Sequence, residues 1–199
     1  MCRVALFAED YGHEQFLTAL IDRLSCDYQV PVRPRTSSAR GGIMRVHHEL
    51  AEFLTDLQRQ PGSVPDMILV ATDANCKKYG QRRAEIAGVV SRFNQFEPLA
   101  VYAVPDPHIE RWMLVDPNAF KAVFGKGCTV PALKCERRLY KRQLLEAIRA
   151  AGIMPPAGGM EYAADIVGNL DLVSVEMREP SFQHLIGELR SRFQQWRGP

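Results

Sequence analysis

Four short apolar runs punctuate the chain, at Arg3 to Ala8, Tyr28 to Val32, Met67 to Thr72 and Leu99 to Val104. Each is bounded by polar or turn-forming residues, which predicts strands. Between them apolar positions recur at helical spacing: Phe16, Leu17, Leu20, Ile21 and Leu24; then Leu50, Phe53, Leu54 and Leu57; then Ile86, Val89, Val90 and Phe93. Strand and helix therefore alternate, and alternation of this kind predicts an α/β fold, a Rossmann-like, mainly parallel four-stranded sheet flanked by helices.

Polar and breaker residues mark the connections. Pro34 through Gly42 is basic and ends in two glycines, so it reads as an exposed loop. Arg35 and Arg40 there can meet a phosphate backbone, or simply ride on an ordinary connection. Pro61 to Pro65 punctuates the approach to the third strand. After the fourth strand, Pro105-Asp106-Pro107-His108 forms a turn, followed by short helices at Ile109 to Leu114 and near Asn118 to Phe124. A longer helix is expected from about Leu133 to Ala151, stopped by Gly152, then an apolar helix over Met160 to Leu172 and a last one from Ser181 to near Trp196. This layout predicts a core over 1–125 and a helical carboxy-terminal extension or lid over 126–199.

Composition narrows the classes. A chain of 199 residues, 46% hydrophobic, can bury one sizeable core. No apolar stretch reaches the roughly 18 residues of a membrane span, and the amino terminus lacks signal-peptide grammar, so a cytoplasmic protein without membrane contact is expected. The net charge of +2 conceals a basic segment from Lys121 to Arg149. There Lys134, Arg138 and Lys141 either meet nucleic acid or solvate one face of a helix that buries Leu139, Leu144, Leu145 and Ile148 on the other. The 5 cysteines are scattered and odd in number, which predicts free thiols.

The candidate chemistry sits at strand ends. Glu9 closes the first run and Asp73-Ala74-Asn75 closes the third. In a parallel sheet, side chains just beyond the carboxyl ends of neighbouring strands converge on one crevice. Carboxylates there suit a hard cation such as Mg2+ or Mn2+, and residues two apart on extended backbone point the same way, so Asp73 and Asn75 can face one ion. His108 stands between Asp106 and Glu110, where it can contact phosphate or pass a proton. Asp106 can be a ligand or initiate the turn; Asp116, before Pro117, has the grammar of a helix cap. His13, His47 and His48 read as packing or surface residues. No phosphate-binding Gly-rich loop or nucleophile elbow is present, which argues against nucleotide-binding and serine-hydrolase readings.

Three stretches resemble the TOPRIM superfamily: Ala8-Glu9-Asp10-Tyr11-Gly12-His13-Glu14-Gln15-Phe16-Leu17, Ala71-Thr72-Asp73-Ala74-Asn75, and Val104 through Pro117 with its run Ile109-Glu110-Arg111-Trp112-Met113-Leu114-Val115-Asp116. The nearer likeness is to small stand-alone TOPRIM-like proteins related to OLD-family nucleases, which accompany ATPases in bacterial defence islands. The resemblance implies a metal-dependent nuclease that acts on nucleic acid, DNA before RNA, with an ATPase partner in phage defence; the sequence leaves a monomer or an oligomer open. It implies Glu9, Asp73 and Glu110 as catalytic residues, and Glu9, Asp73, Asn75, Asp106, Glu110 and Asp116 as metal ligands. Asn75 stands where the family carries a second acid, which removes one negative charge from the site. The alternative is a non-catalytic binding or regulatory partner of an ATPase, with the carboxy-terminal helices as its docking surface.

Overall fold

Along a strand, successive side chains point to opposite faces, and here both faces are covered. In β1 (Cys2–Ala8), Val4, Leu6 and Ala8 enter one core while Ala5 and Phe7 enter another. The same alternation divides β3 (Met67–Ala71), with Met67, Leu69 and Ala71 on one side and Ile68 and Val70 on the other. A strand buried on both faces reads as a continuous apolar run, which is why these two stand out in the sequence. With β2 (Val32–Ser38) and β4 (Ala100–Ala103) they form one all-parallel sheet in the order β2-β1-β3-β4. The structure is a computed structural model that describes residues 1–39, 43–60, 64–136 and 138–198. Arg40 lies outside the described residues.

Helices α2 (Ile43–Gln58) and α3 (Tyr79–Val90) supply the smaller core through Leu50, Leu54, Leu57, Ile86, Val89 and Val90. The opposite face receives α1 (Tyr11–Tyr28) and the helices that follow β4, namely α4 (Ile109–Leu114), α5 (Pro117–Phe124), α6 (Leu139–Ala150), α7 (Ala163–Asn169), α8 (Leu172–Arg178) and α9 (Pro180–Arg197). Phe182, Leu185, Ile186, Leu189 and Phe193 of α9 are fully buried in one cluster with Leu6, Leu20 and Trp112. The apolar stripe of α9 thus covers the sheet rather than serving as a docking surface. No helix among the described residues is long and apolar enough to cross a membrane.

Four expectations are corrected. The helix α1 runs through Tyr28, whose ring packs 5.7 Å from that of Phe193, and Gln29 ends it in a left-handed conformation with φ 55°. The second strand therefore begins at Val32, not Tyr28, and occupies Pro34 to Ser38, which the sequence assigns to a loop. Among the described residues it pairs with β1 alone, so it is an edge strand: it needs little apolar surface and tolerates Pro34. Helix α6 starts at Leu139 rather than near Leu133, because Arg138 is left-handed at φ 62°. Residues 127–136 form a strap without regular secondary structure, pinned by the Tyr140 hydroxyl, which accepts from Lys134 N at 2.8 Å and lies 3.1 Å from Ala132 O. The expected helix over Met160 to Leu172 breaks into a short 3-10 turn (Met160–Tyr162), α7, and then α8, where the Asp171 carboxylate accepts from Ser174 N at 3.1 Å and starts a new helix. Finally, two of the cysteines expected as free thiols, Cys76 and Cys135, are joined in a disulfide.

Candidate functional site

Strand order reverses at β1. The chain leaves it toward β2 on one side, then crosses back to β3 and β4 on the other, so the carboxyl ends of β1 and β3 flank the switch-point crevice. Ala8 pairs in register with Ala71, and Glu9 N donates to Ala71 O at 2.9 Å. Glu9 and Thr72 therefore emerge side by side. Glu9 Oε2 accepts from the Thr72 hydroxyl at 2.5 Å and from Asp73 N at 2.9 Å. The two acidic strand ends, 64 residues apart, meet.

Asp73 is buried, and its carboxylate lies between two imidazoles. Oδ2 is 2.8 Å from His108 Nδ1, Oδ1 is 3.0 Å from His13 Nε2, and Oδ1 also accepts from Ile109 N at 2.9 Å. His13, 0% exposed, reaches Asp10 with its other nitrogen, Nδ1, at 2.8 Å. The acids and imidazoles thus alternate in a chain, Asp10–His13–Asp73–His108. Further bonds hold the Asp73 loop: Arg82 Nε donates to Asp73 O at 3.0 Å, while Ala74 N and Asn75 N donate to Pro105 O and Pro107 O at 2.8 and 3.1 Å.

Charge follows from this geometry. Burial opposes ionisation of His13, but the charges of Asp73 and Asp10 outweigh it and hold the pKa of this imidazole well above the ordinary histidine value. Burial likewise disfavours the His108 cation, and Asp73 again raises its pKa on balance. Asp73 is pulled below the usual carboxylate range, against burial, by His13 and His108. Asp10 is also held well below the usual carboxylate range, against burial, by the His13 side chain and by backbone N–H groups at the start of α1. Glu110 moves the opposite way. Burial first, then the charge of Asp73, raise its carboxyl.

The other expected site residues divide. His108 and Glu110 join Glu9 and Asp73 in the crevice. Asp106 turns away: its carboxylate accepts from Tyr79 N at 3.3 Å, at the start of α3. Asp116 is no ligand here, because Oδ1 accepts from Asn118 N and Ala119 N at 2.9 and 3.2 Å and Oδ2 from Asp171 N at 2.9 Å. It caps α5 and ties α8 to it. Asn75 borders the crevice in a left-handed conformation, φ 49°. Arg35 stands at a cavity of about 890 Å3 among Glu14, Glu49, Glu52 and Asp56, whose charges repel phosphate. Lys134 is exposed on the strap, whereas Arg138 and Lys141 share the outer face of α6 with Arg142 and Arg149 along a groove of about 390 Å3.

Hard oxygen donors suit Mg2+ or Mn2+ in kind, but their placement does not fit one. Both oxygens of Asp73 face protein donors, and among the described residues no group of three or more His, Cys, Asp or Glu side chains is placed to hold a metal ion. His13 is the residue that sequence reasoning missed. The signal was available: His13 opens the stripe His13, Leu17, Leu20, Leu24 on the buried face of α1 and lies one turn after the capping residue Asp10.

Comparison with protein-family models, with curated proteins and with solved structures finds no match for this chain.

Proposed function

We propose that this chain cleaves phosphodiester bonds of nucleic acid at the carboxyl edge of its sheet, as a nuclease of TOPRIM type. The observation that carries the reading is the contact between Glu9 and Asp73 at the switch point, with the His108 imidazole, whose pKa Asp73 raises against burial, beside them. Glu9, oriented by Thr72 and Asp73 N, takes a proton from the attacking water. His108, held through Nδ1 by Asp73, keeps its other nitrogen, Nε2, buried and, among the described residues, without a hydrogen-bond partner. The proton carried on His108 Nε2, uncovered when substrate enters the crevice, passes to the leaving oxygen as the P–O bond breaks. His13 stays charged between Asp10 and Asp73 and fixes the orientation of the latter. The outer face of α6 supplies cations for the phosphate backbone.

No step here runs through a metal ion. A requirement for Mg2+ or Mn2+, implied by the resemblance, means that the ion must displace His108 from Asp73. The ATPase partner and the role in phage defence rest on the three resembling motifs alone. A second reading, a non-catalytic binding partner of an ATPase, draws support from the full occupation of the Asp73 carboxylate by protein donors.

The deciding experiment incubates purified protein with linear, supercoiled and single-stranded DNA and with RNA, in EDTA, Mg2+ or Mn2+. Cleavage is expected, falling by roughly 10²- to 10⁴-fold in His108→Ala and disappearing in Asp73→Asn. Absence of cleavage on every substrate and in every metal condition overturns the nuclease reading in favour of the binding one.

A further inference from the structure

We propose that Cys76 and Cys135 form a reversible thiol–disulfide site that clamps the Asp73 loop to the strap before α6. The two residues are 59 apart in sequence, yet the fold brings their Cα atoms to 5.3 Å, inside the range that a disulfide spans. Both are exposed, so a reductant reaches them. Cys2, Cys26 and Cys128 remain free thiols. Burial pushes the Cys128 thiol up to about 11, which keeps it from competing as a nucleophile.

The position of the bridge gives it a consequence. Cys76 lies three residues beyond Asp73, and both Asn75 and Cys76 are left-handed, at φ 49° and 66°. Two consecutive non-glycine residues in that region persist only where the surroundings hold them. Pro105 O and Pro107 O hold the loop on one side, through Ala74 N and Asn75 N, and the bridge holds it on the other. Cys135 belongs to the strap, whose other ties include the Tyr140 hydroxyl on Lys134 N and Ala132 O and Arg111 Nη1 on Pro131 O at 2.6 Å. The Tyr140 ring in turn stands 6.1 Å from that of His108. Bridge, strap and crevice are therefore adjacent. Reduction by a dithiol transfers two electrons and two protons to the pair, breaks one S–S bond, and leaves two thiols and an oxidised, cyclic reductant; a disulfide of the same class reverses it. The reduced loop then relaxes from its left-handed turn and the strap loosens.

Hydrogen exchange reads the clamp without any assay of activity, so it stands apart from the nuclease reading; only an effect on cleavage rests on that reading. Protein oxidised with glutathione disulfide and then denatured is expected to titrate three thiols, against five after dithiothreitol, by subtraction of the one pair. Amides of segments 73–79 and 128–136 should exchange at least about tenfold faster in the reduced protein, and Cys76→Ser and Cys135→Ser should exchange like it in either buffer. Five titrating thiols after oxidation, or equal exchange in the two states, overturns the clamp. If the clamp is demonstrated and cleavage is absent in both states, the nuclease reading fails and the clamp stands.

Discussion

His13 is a side chain with no access to solvent that nevertheless carries charge. Its imidazolium is retained because Asp10 and Asp73 flank it at 2.8 and 3.0 Å, and removing one partner of a buried pair strands the other. His13→Ala is expected to cost roughly 3 to 5 kcal/mol, a fall of roughly 6 to 20 °C in Tm, measurable by calorimetry. The pH dependence has a definite sign. Folded-state values of His13 and His108 lie above their unfolded ones, so their contribution is complete below about pH 6.5 and is lost as pH rises through the folded values. Asp10 and Asp73 are depressed, so theirs is present above about pH 3.9 and is lost on acidification. Tm should therefore peak between roughly pH 4 and 6.5 and decline toward alkaline pH, and His13→Ala should flatten the alkaline limb. A wild-type Tm that rises from pH 6 to pH 9 contradicts this account of the chain of charges.

Among the elements, α5 shows how one carboxylate serves structure where the motif suggested chemistry. Asp116 satisfies the first free N–H groups of α5 and one at the start of α8. Asp116→Ala should lower stability by about 1 to 2 kcal/mol and leave nucleic-acid cleavage unchanged, as urea unfolding and the cleavage assay would show; lost cleavage in a folded variant would restore it to the site. Its place directly before Pro117 made the cap legible beforehand. Strand β2 was not legible in the same way. A strand with one neighbour and exposed side chains has no run of apolar residues to reveal it, and Val32-Arg33-Pro34-Arg35-Thr36-Ser37-Ser38 reads locally as a polar loop. Its pairing with β1 exists because β1 had an open edge.

For the chain as a body, the boundary at about residue 125 does not separate two cores. The α9 side chains Phe182, Leu185, Ile186, Leu189 and Phe193 are buried in the cluster that covers the sheet, beside Leu6, Leu20 and Trp112. Uncovering each large side chain costs roughly 1.5 to 3 kcal/mol, and the five together match a typical total stability of about 5 to 15 kcal/mol. A fragment ending at Gly125 should therefore show no cooperative thermal transition by circular dichroism. A fragment that melts sharply would establish the first 125 residues as an independent unit.

Periodicity along the chain was enough to define β1, β3 and β4 in an α/β order, the buried faces of α1 to α3 and the acidic ends of β1 and β3, because these depend on neighbours close in sequence and on the geometry of strand and helix. It could not place His13 against Asp73, turn Asp116 into a cap for two helices, or join Cys76 to Cys135. Those pairings depend on parallel register and on which helix packs over which strand end. Both are settled by burial of distant apolar surfaces, not by the residues on either side of each group.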